Sequence, residues 1–585
     1  MQRPVAIGVQ SFSKLRENSC FYVDKTHFIK DWWEGHDDIT LVTRPRRFGK
    51  TLTLDMVRTF FSPEYTGRTD LFEGLSIWND EKFRSIQGTI PVVSLSFADI
   101  KKTNFSSLKE EICVLLSDVY LNYKFLLKNN VLDEEDKVQF KKVSADMSLN
   151  IASRSLRFLT KYIAKYYNLK PIILLDEYDT PLQEAWLHGY WEDAIAFFRG
   201  LFNSTFKTNP WLERGLMTGI TRVSKESLFS DLNNLQVVTA TSPLYADAFG
   251  FTEEEVFTAM DEYGLPDKDK VKAWYDGFVF GNRKDIYNPW SITNYLRTSV
   301  IDTYWVDTSS NALVSDLVRQ GDQKIKIQME DMLKGQSIVA TIDEQVVFSQ
   351  LKVVSNAVLS LFIATGYLKV VSCNKMTKQY EIAITNHEVK VMMESLVRQW
   401  FNSASLRVVS QEFRRALCAG ATARMNTMMR RIALETFSFF DMGGREPERF
   451  YHGFALGLLV DLKGRFQLES NRESGWGRYD VMLIPLTSQD PGIVIEFKAL
   501  AEDEGERKLE DTARAALRQI AERQYAASLE ARGVPRSRML AYGFAFRGKD
   551  VLIAGGSWQE ACRQIRSVPS KRRRPNSRAA RHAKR

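Results

Sequence analysis

The chain has 585 residues, with 80 Lys and Arg against 72 Asp and Glu, and a formal net charge of +8. Its last 17 residues, Pro569 to Arg585, hold eight basic side chains and no acid, so 80 less 8 leaves 72 basic against 72 acidic residues before them. A neutral body with a basic tail excludes a basic nucleic-acid-binding fold as the origin of the charge, and 44% apolar residues exclude a globally disordered chain. At roughly 100–200 residues per domain, the length predicts about three or four domains.

Five cysteines (Cys20, Cys113, Cys373, Cys418, Cys562) lie far apart with no CxxC pair, and the six histidines form no HExxH. That spacing fits neither a zinc ribbon nor a secreted disulfide framework. The first residues, MQRPVAIGVQSFSKL, lack the apolar core of a signal peptide. No apolar run approaches the roughly 18 residues a membrane span needs. The expectation is a soluble, intracellular, cytoplasmic protein of a reducing compartment, with no membrane partner.

In chain order, ITLVTR (39–44) predicts a short apolar strand, followed by a turn and a helix beginning near Lys50. TIPVVSLSF (89–97) predicts a second strand, and a Lys-rich helical stretch runs over roughly 105–167. KPIILLDEY (170–178) is a continuous apolar run of the kind buried parallel strands show, and RGLMTGITR (214–222) predicts a fourth strand. Strands alternating with helices predict an α/β parallel sheet for about the first 240 residues. Residues 250–400 read as mainly helical. Mixed α/β structure returns over 440–560, with strands in RFQLES, RYDVMLIP, GIVIEFKAL and MLAYGFAF. Basic-residue usage also shifts, from 30 Lys and 18 Arg in residues 1–410 to 4 Lys and 20 Arg in 411–568.

TRPRRFGKTLTLDM (43–56) follows an apolar strand and opens a helix. A phosphate-binding loop needs backbone N–H groups at a helix N-terminus, a lysine for the outer phosphates and a hydroxyl for magnesium. Gly49, Lys50 and Thr51 supply the last three positions of GxxxxGK[ST], while Arg44 stands where the first glycine is usual. GKT alone is a short pattern. It gains weight from PIILLDEYD (171–179), where Asp176 ends a buried strand as a magnesium holder and Glu177 follows as the residue that polarises water. The competing reading of this pair is an acidic strand end that caps the next helix.

At this point the chain resembles the AAA-ATPase-like proteins that carry a C-terminal PD-(D/E)XK nuclease-like domain. Their loop typically reads RPRRFGK[ST], so Arg44, Arg47 and Phe48 match that family and join Gly49, Lys50 and Thr51 as expected nucleotide contacts. FYVDKT (21–26), LLDEYDTPL (174–182), LMTGITRVSKESLFSDLNNL (216–235) and YDGFVFG followed by YNPWSI (275–292) extend the resemblance over about the first 300 residues. It implies a P-loop ATPase core with bound ATP and Mg2+, then a helical subdomain. Arg222 would then lie near the phosphates as a sensor-like residue, the alternative being a surface arginine at a strand end.

In the second half, GRYDVMLIPLTSQDPGIVIEFKAL presents Asp480, Glu496 and Lys498. Glu496 and Lys498 are two apart in a strand and share a face. A hairpin turn around 488–490 sets Asp480 nearly opposite Glu496. Two carboxylates on one divalent ion beside a lysine suit phosphodiester hydrolysis. D…ExK is short, and surface hairpins produce it by chance. Its context resembles the nuclease-like domain of the same family over about residues 435–560. That resemblance carries over Glu448 as the first acidic metal ligand, then Asp480, Glu496, Lys498 and Gln519, and more loosely Tyr525. Glu469 is read as a solvated turn residue rather than an extra ligand.

The basic tail predicts a disordered nuclear-localisation or nucleic-acid-tethering segment, nuclear import applying only in a eukaryote. The expected architecture is a P-loop AAA-ATPase-like domain (1–245), a mainly helical subdomain (246–410), a restriction-endonuclease-like α/β domain (411–568) and a tail (569–585). The expected function is an ATP-binding and ATP-hydrolysing protein fused to a metal-dependent nuclease acting on nucleic acid, DNA foremost. Rival readings are a nucleotide-gated nucleic-acid-binding protein with an inactive nuclease-like domain, and a signalling or scaffold protein. A homo-oligomer is compatible, since an arginine finger acts in cis or between subunits.

Overall fold

The computed structural model describes residues 2–128, 131–222, 228–229, 231–305, 323–333, 335–343, 355–374, 376–400, 404–436, 462, 464–471, 480–500, 506–522, 525–547 and 550–566. Glu448 and the basic tail lie outside the described residues. The chain forms two compact units, one of residues 1–321 with 331–394 and the other of 322–330 with 395–585.

The first unit is built on five parallel strands: β1 (Ile39–Thr43), β2 (Val92–Ser96), β3 (Ile172–Asp176), β4 (Arg214–Gly219) and β5 (Leu235–Val238), in the order β2-β3-β4-β1-β5. β1, β3 and β4 are buried along their whole length, which explains their unbroken apolar runs. Strand order reverses around β1, so the C-terminal ends of β1, β3 and β4 border the crevice where open α/β sheets bind ligands. The Lys-rich stretch divides into helices Phe105–Asn122, Glu134–Lys141 and Leu149–Tyr167. Asn104, Asp133 and Ser148 cap them by accepting backbone N–H bonds.

Helices dominate the following segment, but two three-stranded antiparallel sheets run through it. One comprises β6 (Phe251–Thr252), β7 (Asp276–Phe280) and β8 (Arg283–Tyr287); the other, β9 (Ile338–Thr341), β10 (Leu368–Asn374) and β11 (Gln379–Ile384). The helix Glu253–Tyr263 begins with a capping box, Thr252 and Glu255. Glu255 also accepts both its ion-pair contacts from the buried Lys25 at 2.7 Å, so the FYVDKT segment anchors this region. Glu253, Asp276 and Asp285 bring three carboxylates together around the ammonium of Lys272.

The second unit carries the sheet β12 (Phe466–Asn471), β13 (Asp480–Pro485), β14 (Gly492–Ala499), β15 (Met539–Arg547) and β16 (Asp550–Ser557), in that order, parallel only between β14 and β15. One face packs Val481, Ile493, Ile495, Phe497, Tyr542 and Phe544 against helices that include Leu417 and Met425. The other packs Met482, Val494 and Ala541 against Leu517 and Ile520 of the helix Leu509–Glu522. Edge strand β16 is covered: Asn426 donates to the Ile553 carbonyl at 2.7 Å and accepts from its N–H at 2.8 Å. No helix among the described residues is long and apolar enough to cross a membrane.

Candidate functional site

The helix Lys50–Phe61 starts where the loop 44–49 leaves β1. Its N-cap, Gly49, has φ 80°, a left-handed value that favours glycine, and nothing lies within 4 Å of where a Cβ would stand. The helix N-terminus is thus approachable by an anion, as phosphate binding demands. Lys50 is buried and donates to the carbonyls of Arg44 at 3.0 Å and Pro45 at 2.8 Å. Burial lowers its pKa, and the carboxylates of Glu177, Asp176 and Asp179 pull it back up.

Thr51 Oγ1 donates to Asp176 Oδ2 at 2.6 Å, joining the helix start to the end of β3. The other Asp176 oxygen accepts from Thr218 Oγ1 on β4 and from the Glu177 N–H at 3.1 Å. Hydroxyl and carboxylate oxygens side by side at a helix N-terminus are the donor set magnesium takes. Glu177 has φ 50°, and its carboxylate accepts from Thr180 Oγ1 at 3.0 Å. Arg222 is half-buried and lies three residues beyond the end of β4.

Two expected nucleotide contacts have partners within the protein. Arg44 is fully buried, with its guanidinium donating to the carbonyls of Thr43 at 2.9 Å, Thr239 at 2.8 Å and Tyr245 at 3.3 Å. It also lies over the Phe280 ring at 4.6 Å. Burial draws its pKa down to about 9, so it stays charged at neutral pH. Both terminal nitrogens of this guanidinium donate to backbone carbonyls, so Arg44 braces the loop in this structure. The Phe48 ring is likewise buried, against Phe278 at 4.8 Å and Phe280 at 5.3 Å. Arg47 is exposed with φ 64° and stacks over Trp290 at 4.3 Å. The Arg46 carbonyl accepts from Trp305 Nε1 at 3.0 Å and Asn288 Nδ2 at 3.4 Å. The YDGFVFG and YNPWSI segments therefore serve as a brace for the loop. In the sequence these segments carry no visible role, because their partners are hundreds of residues away.

In the second unit, Asp480 and Glu496 are directly opposed in the β13–β14 ladder, as the hairpin register predicts. Glu496 is fully buried and accepts a hydrogen bond from Gln519 Nε2 on the helix Leu509–Glu522. Lys498 is half-buried, two residues along the same strand. Gly543 is the β15 partner of Glu496, and a Cβ there would fall 2.4 Å from the Ala513 carbonyl. Helix and sheet therefore approach closely enough for Gln519 to reach the carboxylate. Tyr525 packs in the apolar cluster with Leu517 and Ile520. Glu469 lies within β12 rather than in a turn, and is ion-paired to Arg532 at 2.7 Å.

The first unit is a P-loop nucleotide-binding fold, and the second a mixed α/β sheet whose β13–β14 hairpin opposes Asp480 to Glu496. Residues 6–229 match the family model described as predicted AAA-ATPase, and residues 446–555 match the PD-(D/E)XK nuclease superfamily. The chain thus carries an AAA-ATPase-like domain in its first half and a PD-(D/E)XK nuclease-like domain towards its C-terminus. It is 25% identical over 401 residues to an uncharacterized protein in the vnfD 5′ region of Azotobacter chroococcum mcd 1, covering 67% of this chain and 69% of that one. The solved ADPNP–ADP complexes of the Aeropyrum pernix ORC2 protein cover 64% of this chain and 92% of that chain. The TM-score of 0.20 and 9% identity mark a superposition too loose to define a fold.

Proposed function

We propose that the protein binds and hydrolyses ATP with magnesium in its first unit and cuts nucleic acid, DNA foremost, in its second. The observation that carries the ATPase half is the 2.6 Å contact between Thr51 and Asp176, two magnesium-type oxygens drawn from the two ends of the motif pair. Lys50 contacts the outer phosphates, Thr51 and Asp176 hold the ion, and Glu177 orients the attacking water and accepts its proton. A divalent ion, when bound at either site, neutralises charge building on phosphoryl oxygens.

For the nuclease half, the opposed Asp480 and Glu496 supply acidic oxygens, with Glu448 as the further ligand. Gln519 holds the Glu496 carboxylate in place, and Lys498 stabilises charge on the scissile phosphate. The basic tail adds sequence-independent affinity for phosphates that falls with salt. A paired assay on the full-length chain tests both halves: ATP hydrolysis and plasmid cleavage, each with and without magnesium. Nucleotide turnover and metal-dependent nicking support the reading. DNA binding without cutting under magnesium or manganese, with or without ATP, would leave a nucleotide-gated binding protein instead.

A further inference from the structure

We propose that Asp179 is a positioning residue, locking the chain after β4 so that Arg222 is held at the outer phosphate of the nucleotide. The inference rests on the ATPase reading above and deepens it. Asp179 is fully buried, and its carboxylate accepts the N–H of Ile220 at 3.1 Å, the N–H of Thr221 at 2.7 Å and the hydroxyl of Thr221 at 2.7 Å. Gln183 Nε2 adds a fourth bond at 3.0 Å. Its neighbour Tyr178 donates its hydroxyl to the Thr221 carbonyl at 2.7 Å and its N–H to the Thr218 carbonyl at 3.0 Å.

The residue immediately after this clamped segment is Arg222. The approach is tight enough to require glycine: a Cβ on Gly219 would fall 2.6 Å from the Tyr178 ring and 2.7 Å from Asp179 Oδ1. The Gly219 carbonyl in turn accepts the Arg44 N–H at 3.2 Å. Loop entrance, acidic strand end and β4 exit are therefore one hydrogen-bonded body. A buried carboxylate is costly unless fully bonded, and apolar side chains fill such space at lower cost. What the carboxylate adds is direction, since two successive backbone N–H groups fix the course of the chain into Arg222. The sharp turn at Glu177, with φ 50°, lets Asp176 face Thr51 while Asp179 reaches β4.

The test is a double-mutant cycle on the full-length protein, reading ATP affinity by calorimetry and turnover with magnesium. Asp179→Asn sets an amide donor among N–H donors and should lower kcat by up to about 10²-fold with ATP Kd little changed. Arg222→Ala should show the same split. The double variant should be no slower than Arg222→Ala alone, within about twofold. Thr221→Val, which deletes only the hydroxyl bond, should give a smaller kcat loss, and it takes the place of Asp179→Asn in the cycle if that variant fails to fold. Multiplicative losses in the double variant, or wild-type turnover in Arg222→Ala, would overturn the inference while leaving the ATPase reading intact. A wild-type chain that binds no ATP would overturn both.

Discussion

Asp480 and Glu496 stand directly across from one another in the β13–β14 ladder. Opposed residues of antiparallel strands share a face, with Cβ atoms about 4.5–5.5 Å apart. Asp480→Ala should abolish plasmid cleavage yet leave DNA binding largely in place, because phosphate contacts are made elsewhere. Lys498→Ala should slow cleavage with less loss of metal, since lysine stabilises charge rather than ligating. Cleavage with magnesium or manganese, beside a binding titration in calcium, checks both, and equal cleavage by Asp480→Ala would refute the site.

Gln519→Leu removes the amide that holds the buried Glu496 carboxylate. Loss of such a supporting bond should lower metal affinity or cleavage rate by about 10–100-fold. The measurement is a manganese titration of cleavage rate: a shifted midpoint is expected, and an unmoved one would show that Gln519 only packs.

At the nucleotide site, Lys50→Ala should weaken ATP binding strongly, whereas Glu177→Gln should preserve binding and slow hydrolysis. Calorimetry and a phosphate-release assay separate the two effects. Unchanged ATP affinity in Lys50→Ala would sink the P-loop assignment.

Phe48→Ala empties the pocket between Phe278 and Phe280. Truncating a buried aromatic costs about 3–5 kcal/mol. The loss should reach function too, because Phe48 lies one residue before Gly49. A urea titration with and without ATP should show a lower midpoint and a smaller nucleotide-induced gain than wild type. A normal nucleotide gain would restrict the brace to stability.

The cluster of Glu253, Asp276 and Asp285 predicts a pH signature. Burial, then the neighbouring Asp285, raises the Asp276 pKa from 3.8 to about 6, against the opposing pull of Lys272. Between those values the folded state holds a proton that the unfolded chain has lost. The stabilising contribution is therefore full below about pH 4 and is lost as pH rises through 6. Asp276→Asn should flatten that part of the stability profile, measured as urea midpoint against pH. A wild-type slope in the variant would place the titration elsewhere.

Much of this was legible in the sequence. β1, β3 and β4 are runs that burial on both faces dictates, the helix begins at Lys50, and hairpin spacing alone set Asp480 against Glu496. β16 was not legible, because DVLIAGGS carries two glycines and no clean alternation. β7 and β8 lie in a bulged hairpin whose polar outer positions mask the period of two. The bracing role of Arg44 was not legible either, because its carbonyl partners come from residues 239–245. Asp179 carries no signal of its own in the sequence, and only the return of β4 beside β3 shows what it bonds.

The brace around Phe48 and Arg46 also joins parts of the chain that are made far apart in time. Trp305, which donates to the Arg46 carbonyl, follows Phe48 by 257 positions (305 less 48). At about 5–20 residues per second, the nascent chain carries an unfinished nucleotide loop for roughly 13–50 s. For the first 232 of those positions (280 less 48) Phe48 lacks Phe280, so an aromatic side chain meant for the interior has no partner ring there. The complete brace of the loop is thus available only after more than half of the 585 residues have been made.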